Sequence, residues 1–236
     1  MTKENIIEMA YKVGTDDVYT SFISTFADDY NMLIVAIISS WVQNGERDMS
    51  YTIQKIVNEK MESNPSLFVL NHKRECGYNE SFCENISDNN FVNLINTIKK
   101  VTLFQGGVRN AYEQYMSSSR HRCKYSHEAM SIIFGYGTHF PSISCKGTFF
   151  RYNLLFYWLS YKFGLWSCVD TSRALLPCND KIFANAKRFG VTDVKYKSTL
   201  SNTVKLTGIA REWFGDVDFW KMYEFLNFYD YEYDKK

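Results

Sequence analysis

The sequence predicts an all-α fold, and three observations carry that prediction. Apolar residues recur at helical spacing along most of the chain, whereas alternating strand patterns are scarce. Only three prolines, Pro65, Pro141 and Pro177, interrupt its 236 residues. Aromatic residues make up 17% of the chain, and each buried ring removes roughly 150–250 Å² from water, enough for a large core. No Gly/Ser-rich or charge-block stretch separates two halves. The chain therefore forms one domain, or two helical lobes sharing an interface.

The first strong element follows Asp28-Asp29, where Met32-Leu33-Ile34-Val35-Ala36-Ile37-Ile38 continues to Val42. Acidic residues suit the positive end of a helix, and a segment apolar nearly all round must be buried on every side. A β-branched run of this length also fits a strand, but its extent between credible caps favours a helix. After Asn44-Gly45-Glu46-Arg47, the residues Ile53, Ile56, Val57 and Met61 share a helical face, and Ser63-Asn64-Pro65 ends it. His72 to Asp88 is polar and turn-rich, the pattern of a long loop or lid. Helices follow over Phe91 to Ile98, Val108 to Met116 and His127 to Phe134, then an irregular stretch from Gly135 to Lys146. Between Phe149 and Trp166 lie nine aromatic residues, which fit a thick buried helix ending at Gly164; exposed, they would form a base-stacking platform. Asp180 to Phe189, Ser201 to Trp213 and Asp218 to Tyr229 complete a chain of about nine helices.

Charge and cysteine usage narrow the function classes. Net charge is +1, from 27 basic and 26 acidic residues. Such a balance neither requires nor excludes a nucleic-acid partner, because a local basic patch suffices. Basic residues collect between Lys162 and Lys205, and His121-Arg122-Cys123-Lys124 forms a second small patch. The six cysteines form no Cys-x-x-Cys and no zinc-spaced quartet, so no metal site is expected. The opening MTKENIIEMA lacks the apolar core of a signal peptide, and no apolar run approaches the roughly 20 residues that span a bilayer. The expectation is a cytoplasmic protein with reduced thiols, no membrane association and no cofactor. His72, His121, His127 and His139 accompany no nucleophile pattern and are assigned no role.

Four patterns, in this order, resemble the helix-hairpin-helix DNA glycosylases. Leu33 to Gln43, a break and an amphipathic helix resemble their opening core helices. Gly147-Thr148-Phe149-Phe150-Arg151 through Trp158 occupies the place of the helix after the hairpin. Pro177-Cys178-Asn179-Asp180-Lys181-Ile182-Phe183, followed by Arg188-Phe189-Gly190, resembles the segment carrying the catalytic aspartate, and Leu206 to Trp220 fits the closing helices. A bacterial family of that fold without assigned activity is more similar still. It shares the Asn/Gly/Arg turn at 44–47 and an arginine-bearing aromatic helix leading to Gly164-Leu165-Trp166, and Leu175-Leu176-Pro177 answers to its Leu-x-x-Pro pattern. The resemblance implies a two-lobed helical domain with a cleft between lobes 28–145 and 1–27 plus 146–236.

It also implies a site. Such enzymes act on a base rotated out of duplex DNA, and a carboxylate stabilises the developing sugar cation or activates water. Spacing after Pro177 assigns that role to Asp180 in one branch and places Asn179 there in the closer family; an asparagine supplies neither a base nor a full charge. The lysine nucleophile of bifunctional members falls at Phe150, which leaves Lys146 as the nearest amine, while Arg151 is retained. DNA phosphates would meet Arg151, Lys181, Lys187, Arg188 and the backbone at Gly147, with the hairpin either there or at Gly135-Tyr136-Gly137. No cysteine follows Cys178, so no iron–sulfur cluster is expected. Three readings stay open: a monofunctional glycosylase on duplex DNA, a catalytically inactive descendant binding DNA or protein, and a helical interaction module with no nucleic-acid role.

Overall fold

The computed structural model describes residues 1–14, 18–43, 49–73, 81–83, 86–192 and 197–229. The turn at 44–47 lies outside them. Among the described residues twelve α-helices form the fold, and one short antiparallel ribbon joins β1 (Ser81–Cys83) to β2 (Ile86–Ser87). The all-α expectation holds. No helix among the described residues is long and apolar enough to cross a membrane.

α3 (Asp29–Val42) is the central helix that its composition requires. Asp28 caps it by accepting from Asn31 N at 2.8 Å, and every residue from Leu33 to Val42 is buried. Around it pack α2 (Val18–Ile23), α4 (Ser50–Lys55), α5 (Pro65–Asn71) and α9 (Phe150–Phe156). α4 runs on as a π-helical turn to Lys60, and after a turn at 61–63 the Asn64-Pro65 pair starts α5: the Asn64 side chain accepts from Leu67 N at 3.2 Å. α6 (Asp88–Gln105), α7 (Val108–Ser117) and α8 (Ser126–Phe134) pack in sequence. Gly106 closes α6 at φ +70°, a left-handed conformation that glycine adopts without steric cost.

α9 also continues as a π-helical turn, Tyr157–Lys162. Its aromatic run is core: Phe149, Tyr152, Phe156, Tyr157, Trp158 and Trp166 are buried, and Phe150, Tyr161 and Phe163 are partly so. Tyr152 stacks on Phe140 at 4.8 Å, Phe156 lies against Tyr112 at 5.3 Å, and Tyr157 meets Tyr223 edge-on at 4.9 Å. The platform alternative would need exposed rings on this helix, and it has none.

Beyond α9 lie α10 (Asp180–Arg188), α11 (Leu200–Asp218) and α12 (Trp220–Phe228). α12 receives α1 (Lys3–Lys12), α10 and α11, so the amino-terminal helix closes on the carboxy-terminal ones. α2, by contrast, packs on α3 and α4. Tyr157 Oη donates to the fully buried Glu224 carboxylate at 2.9 Å, and Lys162 and Lys221 approach the same group at 3.2 and 2.7 Å. One carboxylate thus ties the π-helical turn to α12.

Candidate functional site

The aspartate segment folds as a capped helix. Asn179 takes an extended conformation and its side-chain oxygen accepts from Ile182 N at 3.0 Å, which makes it the N-cap of α10. Asp180 is the first helical residue, exposed, and accepts a hydrogen bond from the Ser198 hydroxyl. Both residues therefore have structural employment at a helix start, where a cap and a negative charge each stabilise the orphan N–H groups. Replacing Asn179 with alanine is expected to lower unfolding free energy by about 0.5–2 kcal/mol. Chemical denaturation measures this, and a loss near zero would refute the capping role.

Arg151 serves the scaffold. Its Nε donates to the Gln43 carbonyl at 2.7 Å and its Nη1 to the His139 carbonyl at 2.7 Å, with Nη2 3.3 Å from the His139 ring. The guanidinium fork therefore joins the end of α3 to the 135–149 loop, which Trp41 also holds through its indole N–H to the Thr138 carbonyl. Burial, then the neighbouring Arg151 charge, lowers the His139 pKa. Lys146 is exposed on that loop, and Gly147 is partly buried, its N–H donating to Cys145 Sγ at 3.4 Å. Lys181 donates to the Asn227 backbone and side-chain oxygens at 2.9 and 3.3 Å, pinning α10 to the end of α12. Lys187 and Arg188 are exposed at the last turn of α10, where cations complement the helix dipole.

The basic stretch from Lys162 to Lys205 divides: Lys162, Arg173 and Lys181 are engaged within the fold, whereas Lys187, Arg188, Lys197 and Lys205 are exposed. Lys162 faces Glu224, and Arg173 donates to the backbone carbonyls of Met116, Cys123 and Lys124. Lys195 lies outside the described residues. The cysteines described in full, Cys123, Cys145, Cys168 and Cys178, are free thiols. Among the described residues no group of three His, Cys, Asp or Glu side chains gathers to hold a metal.

A different concentration of charge emerges from the helices on the other side of α9. Residues 89–151 carry eight Lys or Arg against two Asp or Glu, a net +6; with the whole chain at +1, the remainder carries −5. Both acids are engaged. Glu113 pairs with Arg109 at 3.1 Å, and the Glu128 carboxylate accepts from the backbone N–H groups of Lys124 and Tyr125 at the start of α8. Arg120, His121, Arg122 and Lys124 are all exposed on the loop between α7 and α8, which Arg173 clamps from below. His121 stands edge-on to Tyr115 at 5.0 Å. Sequence inspection singled out 121–124, Lys146 and Arg151 here but not the segment's balance as a whole, because the eight cations are spread over three helices and two loops.

A groove of about 660 Å³ lies between the α4 extension, α5 and α6, lined by Met61, Phe68, His72, Asp88 and Phe91 among others. Two smaller grooves flank Tyr136. None of these three is lined by Lys146, Asn179 or Asp180.

The helical order and the capped α10 segment define a helical protein that carries its charge asymmetrically. Residues 20–216 match the family described as a protein of unknown function (DUF2400), and the chain belongs to that family. No curated protein and no solved structure matches it.

Proposed function

We propose that the chain is a nucleic-acid-binding protein of the helix-hairpin-helix glycosylase type in which Asp180 carries no base-excision chemistry. The observation behind this reading is the +6 segment from 89 to 151, exposed over the α7–α8 loop, with both of its acids engaged. A polyanion gains there by releasing condensed counterions, and the acidic remainder of the chain orients it toward that side. The non-catalytic half rests on the α10 segment, where Asn179 caps the helix and Asp180 is exposed and bonded to Ser198. Phe150 stands where a bifunctional enzyme of the resembled type keeps its lysine.

Anisotropy titrations with labelled duplex DNA test the reading. Affinity is expected to fall steeply between about 50 and 200 mM salt, because each phosphate contact adds roughly 0.9 to the log–log slope. The triple reversal Arg120→Glu, Arg122→Glu, Lys124→Glu should weaken binding and flatten that slope, and Lys187→Glu with Arg188→Glu should change it less. Absence of binding at low salt overturns the nucleic-acid reading. Release of a base from a panel of modified duplexes, lost in Asp180→Asn, overturns the non-catalytic half and restores the monofunctional mechanism.

A further inference from the structure

The basic segment 89–151 also carries the two most exposed aromatic rings among the described residues. Tyr136 is 96% exposed at the centre of the Gly135-Tyr136-Gly137 turn, and Phe104 is 79% exposed at the end of α6, next to the exposed Leu103. The turn is built to hold Tyr136 outward. A Cβ on Gly135 would collide with the Ser131 carbonyl, Gly137 sits at φ +69°, and Asn93 Nδ2 donates to the Gly137 carbonyl at 2.9 Å. Two grooves, of about 260 and 220 Å³, share Thr97, Lys100 and Tyr136 as walls. On one side Tyr136 shares a groove of mixed polarity with Phe104 and Tyr115; on the other it shares one with the amides of Asn93 and Asn96. No carboxylate lines either groove.

We infer that this face binds unpaired nucleotides, with Tyr136 and Phe104 stacking bases and Lys100 meeting the backbone phosphate between them. The inference rests on the nucleic-acid reading above and specifies its ligand as single-stranded. A ring exposed on a turn stacks only on a base whose face is free, which a duplex does not present along its length. Amide side chains beside it offer both donors and acceptors to a base edge. The occupant follows from charge: a groove pair walled by lysine, without an acid, within a segment of net +6, complements a polyanion. Isolated apolar rings this exposed otherwise contribute nothing to folding, since burial is what makes an aromatic stabilising.

The test compares fluorescein-labelled oligothymidine with a duplex of equal length, at low salt, using the full chain. Tyr136→Ala is expected to weaken oligothymidine binding by about 5- to 100-fold, the effect of losing one stacked base, and to leave duplex affinity unchanged. Tyr136→Phe keeps the ring and should keep the affinity, while Lys100→Glu should weaken both ligands. Wild-type affinity for oligothymidine that Tyr136→Ala does not alter overturns the inference and leaves the nucleic-acid reading standing. A change of sedimentation on Tyr136→Ala, with oligothymidine binding intact, also overturns it and assigns the patch to a second copy of the chain. Failure of the wild type to bind either ligand removes the reading on which the inference rests.

Discussion

Glu224→Leu is expected to destabilise the protein by about 3 kcal/mol, near the lower end of what removing one partner of a buried ion pair costs. Glu224 is 0% exposed and shares its two oxygens among Lys162, Lys221 and the Tyr157 hydroxyl. Removing the carboxylate leaves two ammonium groups whose side chains are only 16% and 19% exposed. Those residual exposures let the lysines recover some hydration, which places the effect at the lower end. For a chain of this size the midpoint of thermal unfolding should fall by roughly 6–12 °C. Glu224→Gln keeps the shape and an acceptor for Tyr157 and loses only the charge, so it should cost less. Lys162→Met and Lys221→Met should each cost less than Glu224→Leu, because the carboxylate retains its other lysine. The double lysine variant should exceed the sum of its parts, since it strands a buried anion. A loss below about 1 kcal/mol for Glu224→Leu, by calorimetry or denaturant titration, would mean that this cluster does not hold the π-helical turn to α12.

The long helices were legible because their burial is written in their periodicity. α3 is apolar on every side and is buried on every side, and α9 carries a row of rings that can only be core. Shorter elements escaped. α1 buries only Ile6 and Ala10, two positions that give little periodic signal, and α5 begins at the Asn64-Pro65 pair that reads in sequence as the end of the preceding helix. The long loop expected over 72–88 contains the β1–β2 ribbon, and its residues 74–80 and 84–85 lie outside the described ones. Glu224 escaped for a physical reason: in Trp220-Lys221-Met222-Tyr223-Glu224-Phe225 an acid beside a lysine reads as a solvated pair. Its burial follows from Tyr157 and Lys162, more than sixty residues away in the chain. The candidate catalytic positions were legible as helix-start chemistry, and a sequence alone cannot distinguish a cap from a general base. The charge asymmetry required no structure to count, yet its meaning depends on Glu113 and Glu128 being engaged, which only geometry supplies.

His127 should make the protein lose stability in mild acid. The imidazole is 1% exposed, lies at 4.2 Å from the ring of Phe149 and 5.6 Å from that of Tyr125, and neither nitrogen has a hydrogen-bond partner among the described residues. Burial pushes its pKa down to about 4, because a cation there would lose its hydration without gaining a partner. The unfolded chain takes up the proton near pH 6.5, whereas the folded chain resists until about pH 4. Stability is therefore fully present above about pH 6.5 and declines as pH falls, because the unfolded state binds more protons across that window. The loss should reach about 2 kcal/mol near pH 5 and about 3 kcal/mol near pH 4. His139, also lowered by burial, adds to the same trend, and carboxylates titrate beneath it, so the contribution must be isolated by difference. His127→Phe provides that difference: the ring keeps its place between Tyr125 and Phe149, and no nitrogen remains to titrate. Urea denaturation of both proteins from about pH 7.5 to pH 4.5 should show the variant losing roughly 2.5 kcal/mol less than the wild type. Any constant cost of the slightly larger ring cancels, since only the pH dependence is compared. Parallel curves for the two proteins would show that His127 reaches water or a proton acceptor in the folded state, and that the sandwich does not hold it neutral.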